Sequence, residues 1–165
     1  MIGNEWSSVS NQFISMGMQL EYVKHFKDLE VYKRQRELAK EVFLLSKKFP
    51  KEELYSLTDQ LRRASRAIGA QIAEALAKRL YPKHFISKLT DADGEQMETQ
   101  HWLIEAGDCG YLDGANSKRL LALCEEIGRM LGSMMRKAET FSSRDYTLHE
   151  EPPSYLVRDA LDSGH

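Results

Sequence analysis

The most suggestive catalytic spacing in this chain is the pair Glu98 and His101, which a helix would place on one face. Glu-x-x-His on facing helices of a bundle holds two metal ions when the motif occurs twice and two further helices each add a carboxylate. Here the motif occurs once, because His25, His84 and His149 have no glutamate three residues before them. We therefore predict no metal site, and we expect His101 to lie on the surface or in a polar layer.

Other chemical motifs are absent from the sequence. The two cysteines, Cys109 and Cys124, are too few and too far apart to form a zinc site, and we interpret both as reduced thiols. There is no glycine-rich phosphate loop, no Gly-x-Ser-x-Gly nucleophile motif and no Asp-x-Asp-x-Asp-Gly calcium loop. We predict no catalytic residue and no cofactor, and we expect a protein that is not an enzyme.

The beginning of the chain lacks the basic and apolar segments of a secretion signal. No apolar stretch approaches the length needed to cross a bilayer. We therefore expect a cytoplasmic protein without a membrane partner.

The chain has a net charge of −2, and its charged residues are distributed unevenly along the sequence. Residues 27–80 hold 13 basic and 8 acidic side chains, residues 82–110 hold 2 and 6, and residues 142–165 hold 2 and 5. The basic excess of the first region indicates a nucleic-acid-binding surface. Its candidate residues are Lys33, Arg34, Arg36, Lys40, Arg62, Arg63, Arg66, Lys78 and Arg79. The alternative is a solvated face with ion pairs inside a helix, for example Asp59 with Arg62 or Arg63.

The elements that must position these side chains are helices. Apolar residues recur at helical spacing, and no long stretch alternates with period two. The pattern predicts an all-α protein whose helices span about residues 29–49, 52–79, 82–108 and 115 or 116 to 141. Pro50 ends the first helix and Pro82 begins the third. Short loops between helices of similar length predict an antiparallel up-down-up-down four-helix bundle over residues 27–141.

The residues expected in the core follow the 3-4 spacing of each helix. In the first helix they are Leu29, Tyr32, Ala39, Val42, Phe43, Ser46 and Phe49. In the second they are Leu54, Leu57, Leu61, Ala64, Ile68, Ile72 and Ala75. In the third they are Phe85, Leu89, Ala92, Leu103 and Ala106, and in the fourth Leu120, Leu123, Cys124, Ile127, Leu131, Met134 and Ala138. Gln96, Thr99 and Gln100 interrupt the third set, which predicts a buried, hydrogen-bonded polar layer.

The flanking segments differ in composition from the bundle. Residues 1–26 are expected to form an N-terminal extension that packs on the bundle or frays. Residues 142–165 contain Pro152-Pro153 and an acidic excess, which is typical of a flexible tail. Tyr155, Leu156 and Val157 could dock as a short segment.

The second helix has a further non-polar side. Four small residues lie away from its expected core face, and they are Ala67, Ala70, Ala73 and Ala77. Small side chains allow another helix to approach closely, so we predict a contact with a second protomer on this side. The alternative is that alanine is present because it is the best helix former.

Several short segments together resemble a known family. They are FKDLEVY at residues 26–32, FPKEELYSLT at 49–58, QLRRA at 60–64, IAE at 72–74, Phe85, and GYL at 110–112. Across residues 26–141, about 70% of the chain, the sequence resembles the four-helix-bundle proteins encoded in intervening sequences of bacterial 23S ribosomal RNA. The resemblance implies a homo-oligomer, with pentameric barrels in relatives. A related branch is the accessory variability protein that partners reverse transcriptase in diversity-generating retroelements.

One stretch departs from the family pattern. Where the family reads Ile-Pro-x-Asn-Ile-Ala-Glu-Gly, this chain has Ile68-Gly69-Ala70-Gln71-Ile72-Ala73-Glu74-Ala75. Gly69 replaces the proline that would kink the helix, and Ala75 replaces the glycine, so the helix is expected to continue straight.

Two hypotheses follow. The first is an oligomeric interaction protein, pentameric by resemblance, whose partner is RNA or a reverse-transcriptase-type ribonucleoprotein. The alternative is a protein-directed scaffold or regulator with no nucleic-acid role, in which the acidic third helix or the tail recruits the client.

Overall fold

A computed structural model describes residues 23 and 25–141, which form four long α-helices and contain no strand. The long helices are α1 (Glu30–Ser46), α2 (Leu57–Ala77), α3 (Pro82–Asp108) and α4 (Gly114–Arg136), and one helical turn, α5 (Ala138–Phe141), follows. Short 3-10 helices at Phe26–Asp28 and Lys51–Glu53 precede α1 and α2. The prediction of an all-α four-helix protein is confirmed. The expected tail at 142–165, and all of the expected extension except residues 23, 25 and 26, lie outside the described residues.

Each long helix packs against two others, so the four surround one core. α1 contacts α2 and α4, and α3 contacts the same two helices. α1 and α2 run in opposite directions, since Gln35 lies beside Ser65 and, further along α1, Ser46 lies beside Arg62. The largest fully buried apolar side chains come from all four helices, and they include Leu38, Leu61, Ile68, Ile72, Phe85, Leu89, Leu103, Leu120, Ile127 and Leu131.

Both ends of α3 lie where the sequence predicts them. Pro82 occupies the first turn, where its missing N–H is no loss. At the other end Gly110 has a φ of 74°, a conformation that glycine adopts without steric cost. This turn allows the N–H of Tyr111 to donate to the carbonyl of Ala106 at 2.9 Å. Asp113 then caps α4 by accepting the N–H of Asn116 at 2.8 Å.

The predicted start of the second helix near Glu52 is wrong. Residues 51–53 form a 3-10 turn, and α2 begins only at Leu57. The carboxylate of Glu53 accepts both the hydroxyl of Ser56 and, at 3.4 Å, the N–H of Leu57, which fixes the helix start at that point. As a consequence Leu54, expected in the core, is 43% exposed.

The predicted inner face of the first helix is also partly wrong. The buried side of α1 is formed by Val31, Gln35, Leu38, Val42 and Ser46. This side is rotated from the expected one, so that Tyr32 and Ala39 are half-buried and Phe43 is 36% exposed. The sequence did not indicate this side because Gln35, at its middle, is polar, and the prediction followed apolar residues only.

Three helix ends differ from the prediction. α1 ends at Ser46 rather than Phe49, and α2 ends at Ala77 rather than Arg79. The fourth helix does not continue to Phe141, because Lys137 leaves the helical region and its N–H bonds the carbonyl of Met134 instead.

The predicted polar layer of the third helix is present at two of its three residues. Gln96 and Thr99 are buried; the Gln96 amide donates to the Cys124 carbonyl at 2.7 Å and the Thr99 hydroxyl to Glu95 at 2.8 Å. Gln100 is only half-buried.

A second buried amide joins α1 to α2. Gln35 is 4% exposed and donates to the Ser65 carbonyl at 2.8 Å. Its side chain passes over Gly69, where an added Cβ would lie 2.8 Å from the Gln35 Cδ and even closer to its Oε1. The glycine that replaces the family's proline therefore makes room for Gln35.

The loop from α1 to α2 and the loop from α3 to α4 meet at one end of the bundle. The Tyr111 hydroxyl donates to Glu53 at 3.3 Å, and the Tyr111 ring lies 5.8 Å from the ring of Phe49. We call this contact the loop clasp.

Candidate nucleic-acid interface

A row of basic side chains follows the outside of α1 on the side of α2. Arg36, Lys40, Phe43 and Lys47 are spaced by four, three and four residues, which places them along one side of the helix. Arg62 and Arg66 flank the same row from α2. We call the surface formed by these six residues the basic groove.

Three cations of the basic groove surround one aromatic ring. The Lys47 Nζ lies 4.7 Å from the centroid of Phe43, and the guanidinium carbons of Arg62 and Arg66 lie 5.2 and 5.7 Å from it. Each distance falls within the range of a cation–π interaction. Three positive charges therefore lie close together on the surface around the Phe43 ring.

One of these cations is fixed by a buried hydroxyl. Arg62 donates from Nε to the Oγ of Ser46 at 2.8 Å, and Ser46 donates in turn to the Phe43 carbonyl at 3.2 Å. Ser46 is 3% exposed, so this chain of hydrogen bonds is anchored in the core. The terminal nitrogens of Arg62 make none of the hydrogen bonds found among the described residues, which leaves them able to bind an anion.

The basic groove also lacks neutralising carboxylates. Among the described residues, no Asp or Glu oxygen lies within 4.0 Å of a cationic nitrogen of its five basic residues. Five unpaired cations along one groove give a local positive potential although the chain as a whole is slightly acidic.

Other residues in the predicted basic set are paired. Lys33 contacts Glu30 at 2.5 Å, and Arg63 contacts Asp59 at 3.9 Å, which is one of the two helical pairs predicted from the sequence. Arg62, predicted as the other partner for Asp59, binds Ser46 instead.

Arg34 lies on the opposite side of α1, towards α4. It contacts Glu37 at 3.1 Å and Glu126 at 3.0 Å. The hydrogen bond to Glu37, followed by the charge of Glu126, raises the pKa of Arg34 above its ordinary value. Arg34 is therefore separate from the basic groove.

The last two members of the predicted basic set lie just after α2. Lys78 is exposed, and Arg79 donates to the Val23 carbonyl at 2.9 Å. The structure thus does not bring all nine residues together. Four of them, Arg36, Lys40, Arg62 and Arg66, share the basic groove.

Two members of the basic groove were missed by the sequence interpretation. Phe43 was assigned to the core, and Lys47 was not included among the candidates. The helical spacing of the row indicates that its four residues share one side: Arg36, Lys40, Phe43 and Lys47. This side is recognised as exposed only once the core side of α1 is known.

The predicted alanine contact lies next to the basic groove. Ala70 and Ala77 are exposed, whereas Ala67 and Ala73 are half-buried within the single chain. Ala70 follows Arg66 by four residues, so it continues the same side of α2. Any protein that covers Ala70 also approaches the groove.

Glu98 and His101 on α3 both contact Trp102. Glu98 accepts a hydrogen bond from the Trp102 indole at 3.1 Å, and the exposed His101 ring lies 4.7 Å from the Trp102 ring. Within the part of the chain that the structure describes, no three His, Cys, Asp or Glu side chains are placed to hold a metal ion. The helices described there also include none long and apolar enough to cross a membrane.

Comparison with known proteins identifies the family. The sequence model of the 23S rRNA-intervening sequence proteins matches residues 27–133. The chain belongs to this family. An S23 ribosomal protein family member of unknown function from Bacteroides thetaiotaomicron is similar in structure, with a TM-score of 0.58 and 27% identity. The match covers 64% of this chain and 95% of that one, and no curated protein matches.

The match to the intervening sequence family includes the whole basic groove. Residues 27–133 contain α1, α2, α3 and most of α4. The family match therefore extends over most of the four-helix bundle.

Proposed function

We propose that this intervening sequence family member is a non-enzymatic accessory protein that binds RNA through its basic groove. The observation that carries the proposal is a row of five cations that have no carboxylate partner among the described residues, three of which surround an exposed aromatic ring. Lys and Arg side chains free of internal partners neutralise backbone phosphates and release their counterions. The family's link with ribosomal RNA supports RNA as the polymer.

The proposal extends to assembly and to a protein partner. The resemblance favours a homo-oligomer, pentameric in form, in which the basic groove is repeated. Repetition raises the avidity for a polymer even when one groove binds weakly. A reverse-transcriptase-type protein is the protein partner that the resemblance favours, bound together with RNA.

RNA binding is tested with two triple variants that remove the same charge. Lys47→Gln, Arg62→Gln and Arg66→Gln removes unpaired cations from the basic groove. Lys33→Gln, Arg34→Gln and Arg63→Gln removes one lysine and two arginines that already have carboxylate partners. Fluorescence anisotropy with a labelled single-stranded RNA, between about 50 and 200 mM salt, measures affinity and its salt dependence.

The groove triple variant should bind much more weakly and should lower the slope of log K against log salt by up to about 2, since each phosphate contact contributes about 0.7 for single strands. The paired triple variant should lose little. Equal losses in both, or wild-type affinity that does not change with salt, would contradict the proposal. Unchanged far-UV circular dichroism excludes unfolding as the cause.

A second candidate function is recruitment of a protein by α3. Ile86, Met97 and Ile104 share one side of this helix and are 37%, 62% and 48% exposed. The side chains of Met97 and Gln100 line a shallow groove whose other wall includes Gly128 and Gly132 of α4. Co-purification from the native host with Met97→Lys against the parent chain tests this candidate, since a protein that binds here should be lost while bound RNA remains.

A further inference from the structure

We infer that the basic groove accepts a single strand, with one nucleobase stacked against Phe43 and the neighbouring phosphates bound by Lys47, Arg62 and Arg66. This inference rests on the proposed function and specifies the form of its ligand. Phe43 is the only aromatic residue of the groove, and 36% of it is exposed. Rings that bind nucleic acid without sequence preference stack on bases in this manner, flanked by cations.

A base that stacks on Phe43 takes the place of a cation that lies over the ring in the free protein, and that cation can then bind a phosphate of the same strand. The three cationic groups lie 4.7, 5.2 and 5.7 Å from the ring centroid, and a base placed against Phe43 would bring its own phosphates to the same groups. Ser46 holds Arg62 in place before any ligand arrives. Little side-chain entropy would be lost at this position on binding.

The exposed ring of Phe43 favours a single strand over a duplex, because only a single strand offers it an accessible base. From Arg36 to Lys47 the row covers about 16 Å of helix at 1.5 Å per residue. A-form duplexes keep their bases stacked inside the helix and present phosphates and 2′-hydroxyls to the protein, so they offer no base to Phe43. A short single strand offers both.

The test separates base stacking from charge. Anisotropy is measured with a labelled single-stranded RNA, with an oligonucleotide of the same length whose central residues are abasic, and with a duplex of the same sequence. Phe43→Leu keeps an apolar side chain but removes the aromatic face, and Phe43→Trp keeps a face. Polyglutamate serves as an acidic-peptide competitor.

Phe43→Leu should weaken binding of the intact strand by about 5- to 10-fold, the lower end of the effect of one stacked base, because the ring is only partly exposed. The same variant should bind the abasic strand like the wild type, and the salt slope should not change. Phe43→Trp should restore binding of the intact strand.

Equal losses for intact and abasic strands would overturn the inference, because they would mean that Phe43 only positions the cations. Equal or tighter binding of the duplex by the wild type, or competition by polyglutamate as effective as that by RNA, would overturn it too. In those cases the charge-matched triple variants still decide the proposed function. Loss of binding in neither triple variant would remove both proposals.

Discussion

The two cysteines occupy contrasting environments. Both are free thiols; Cys109 is exposed after α3, and Cys124 is buried in α4, where its carbonyl accepts the Gln96 amide. Burial, with a smaller effect of the Glu125 charge, raises the pKa of Cys124 to about 12. Its thiolate, the reactive form, is therefore scarce at any pH at which the protein is handled.

This contrast predicts selective labelling. At pH 8 a thiol reagent such as DTNB should modify Cys109 rapidly and leave Cys124 unmodified in the native protein, whereas both should react in denaturant. Cys109→Ala should abolish the native reaction. Two equivalents of fast labelling in the folded protein would show that Cys124 is not enclosed as described.

Burial was predicted best for residues that fall at the core positions of a helical period. Gln96 and Thr99 were recognised as a buried polar layer because they fall at core positions of an otherwise apolar helix. Phe43 and Leu54 were wrongly placed in the core, since hydrophobicity alone does not reveal which side of a helix is covered. As a result the sequence predicted four of the five cations of the basic groove, but neither Lys47 nor the ring of Phe43.

Helices α1 and α2 are closely packed at Gly69, where the Gln35 side chain lies against the backbone of α2. Because the buried Gln35 side chain occupies the space that a Cβ would need there, Gly69→Ala forces it to move from its bond to Ser65. Overpacking of this kind typically costs about 1–3 kcal/mol. We expect Gly69→Ala to lower the thermal midpoint.

Gly94→Ala is the matched control within α3. A Cβ at Gly94 meets nothing within 4 Å, so alanine should stabilise the helix by about 0.5–1 kcal/mol. Thermal denaturation followed by circular dichroism compares the two variants. If Gly69→Ala raises the midpoint as Gly94→Ala does, then Gln35 does not occupy that space.

Helix boundaries were predictable where the backbone itself carries the signal. Pro82 and Gly110 determine both ends of α3. The start of α2 depends on a side chain, Glu53, folding back onto Ser56 and Leu57, and no local pattern indicates that contact. The fourth helix is also interrupted at Lys137, where no proline or glycine in the sequence predicts an interruption.

The exposed alanines of α2 allow a test of the proposed assembly. Ala70→Arg places a long charged side chain on an exposed position that the protomer tolerates, but in a close helix contact the charge would be buried without a partner, at a cost of several kcal/mol. We expect a smaller particle with unchanged helicity. Light scattering and far-UV circular dichroism measure both.

Ile72→Arg is the control for this prediction, because Ile72 is 0% exposed and its loss should unfold the protomer. Ala73→Arg should also dissociate the proposed oligomer, although Ala73 is half-buried within its own chain. A parental mass for Ala70→Arg would rule out the α2 contact. Since Ala70→Arg adds a cation beside Arg66, any weaker RNA binding by this variant would report lost avidity rather than lost charge.

We expect the loop clasp to make one end of the bundle open less often than the other. Glu53 and Tyr111 tie two connections together beside Phe49, so local opening should begin at the far end, near the turn between α2 and α3. Backbone amides of α1 near Ser46 should then exchange with deuterium more slowly than those near Arg34, which also have acceptors within the helix. We therefore expect the half of the basic groove that contains Phe43 and Lys47 to open less often in the free protein than the half that contains Arg36.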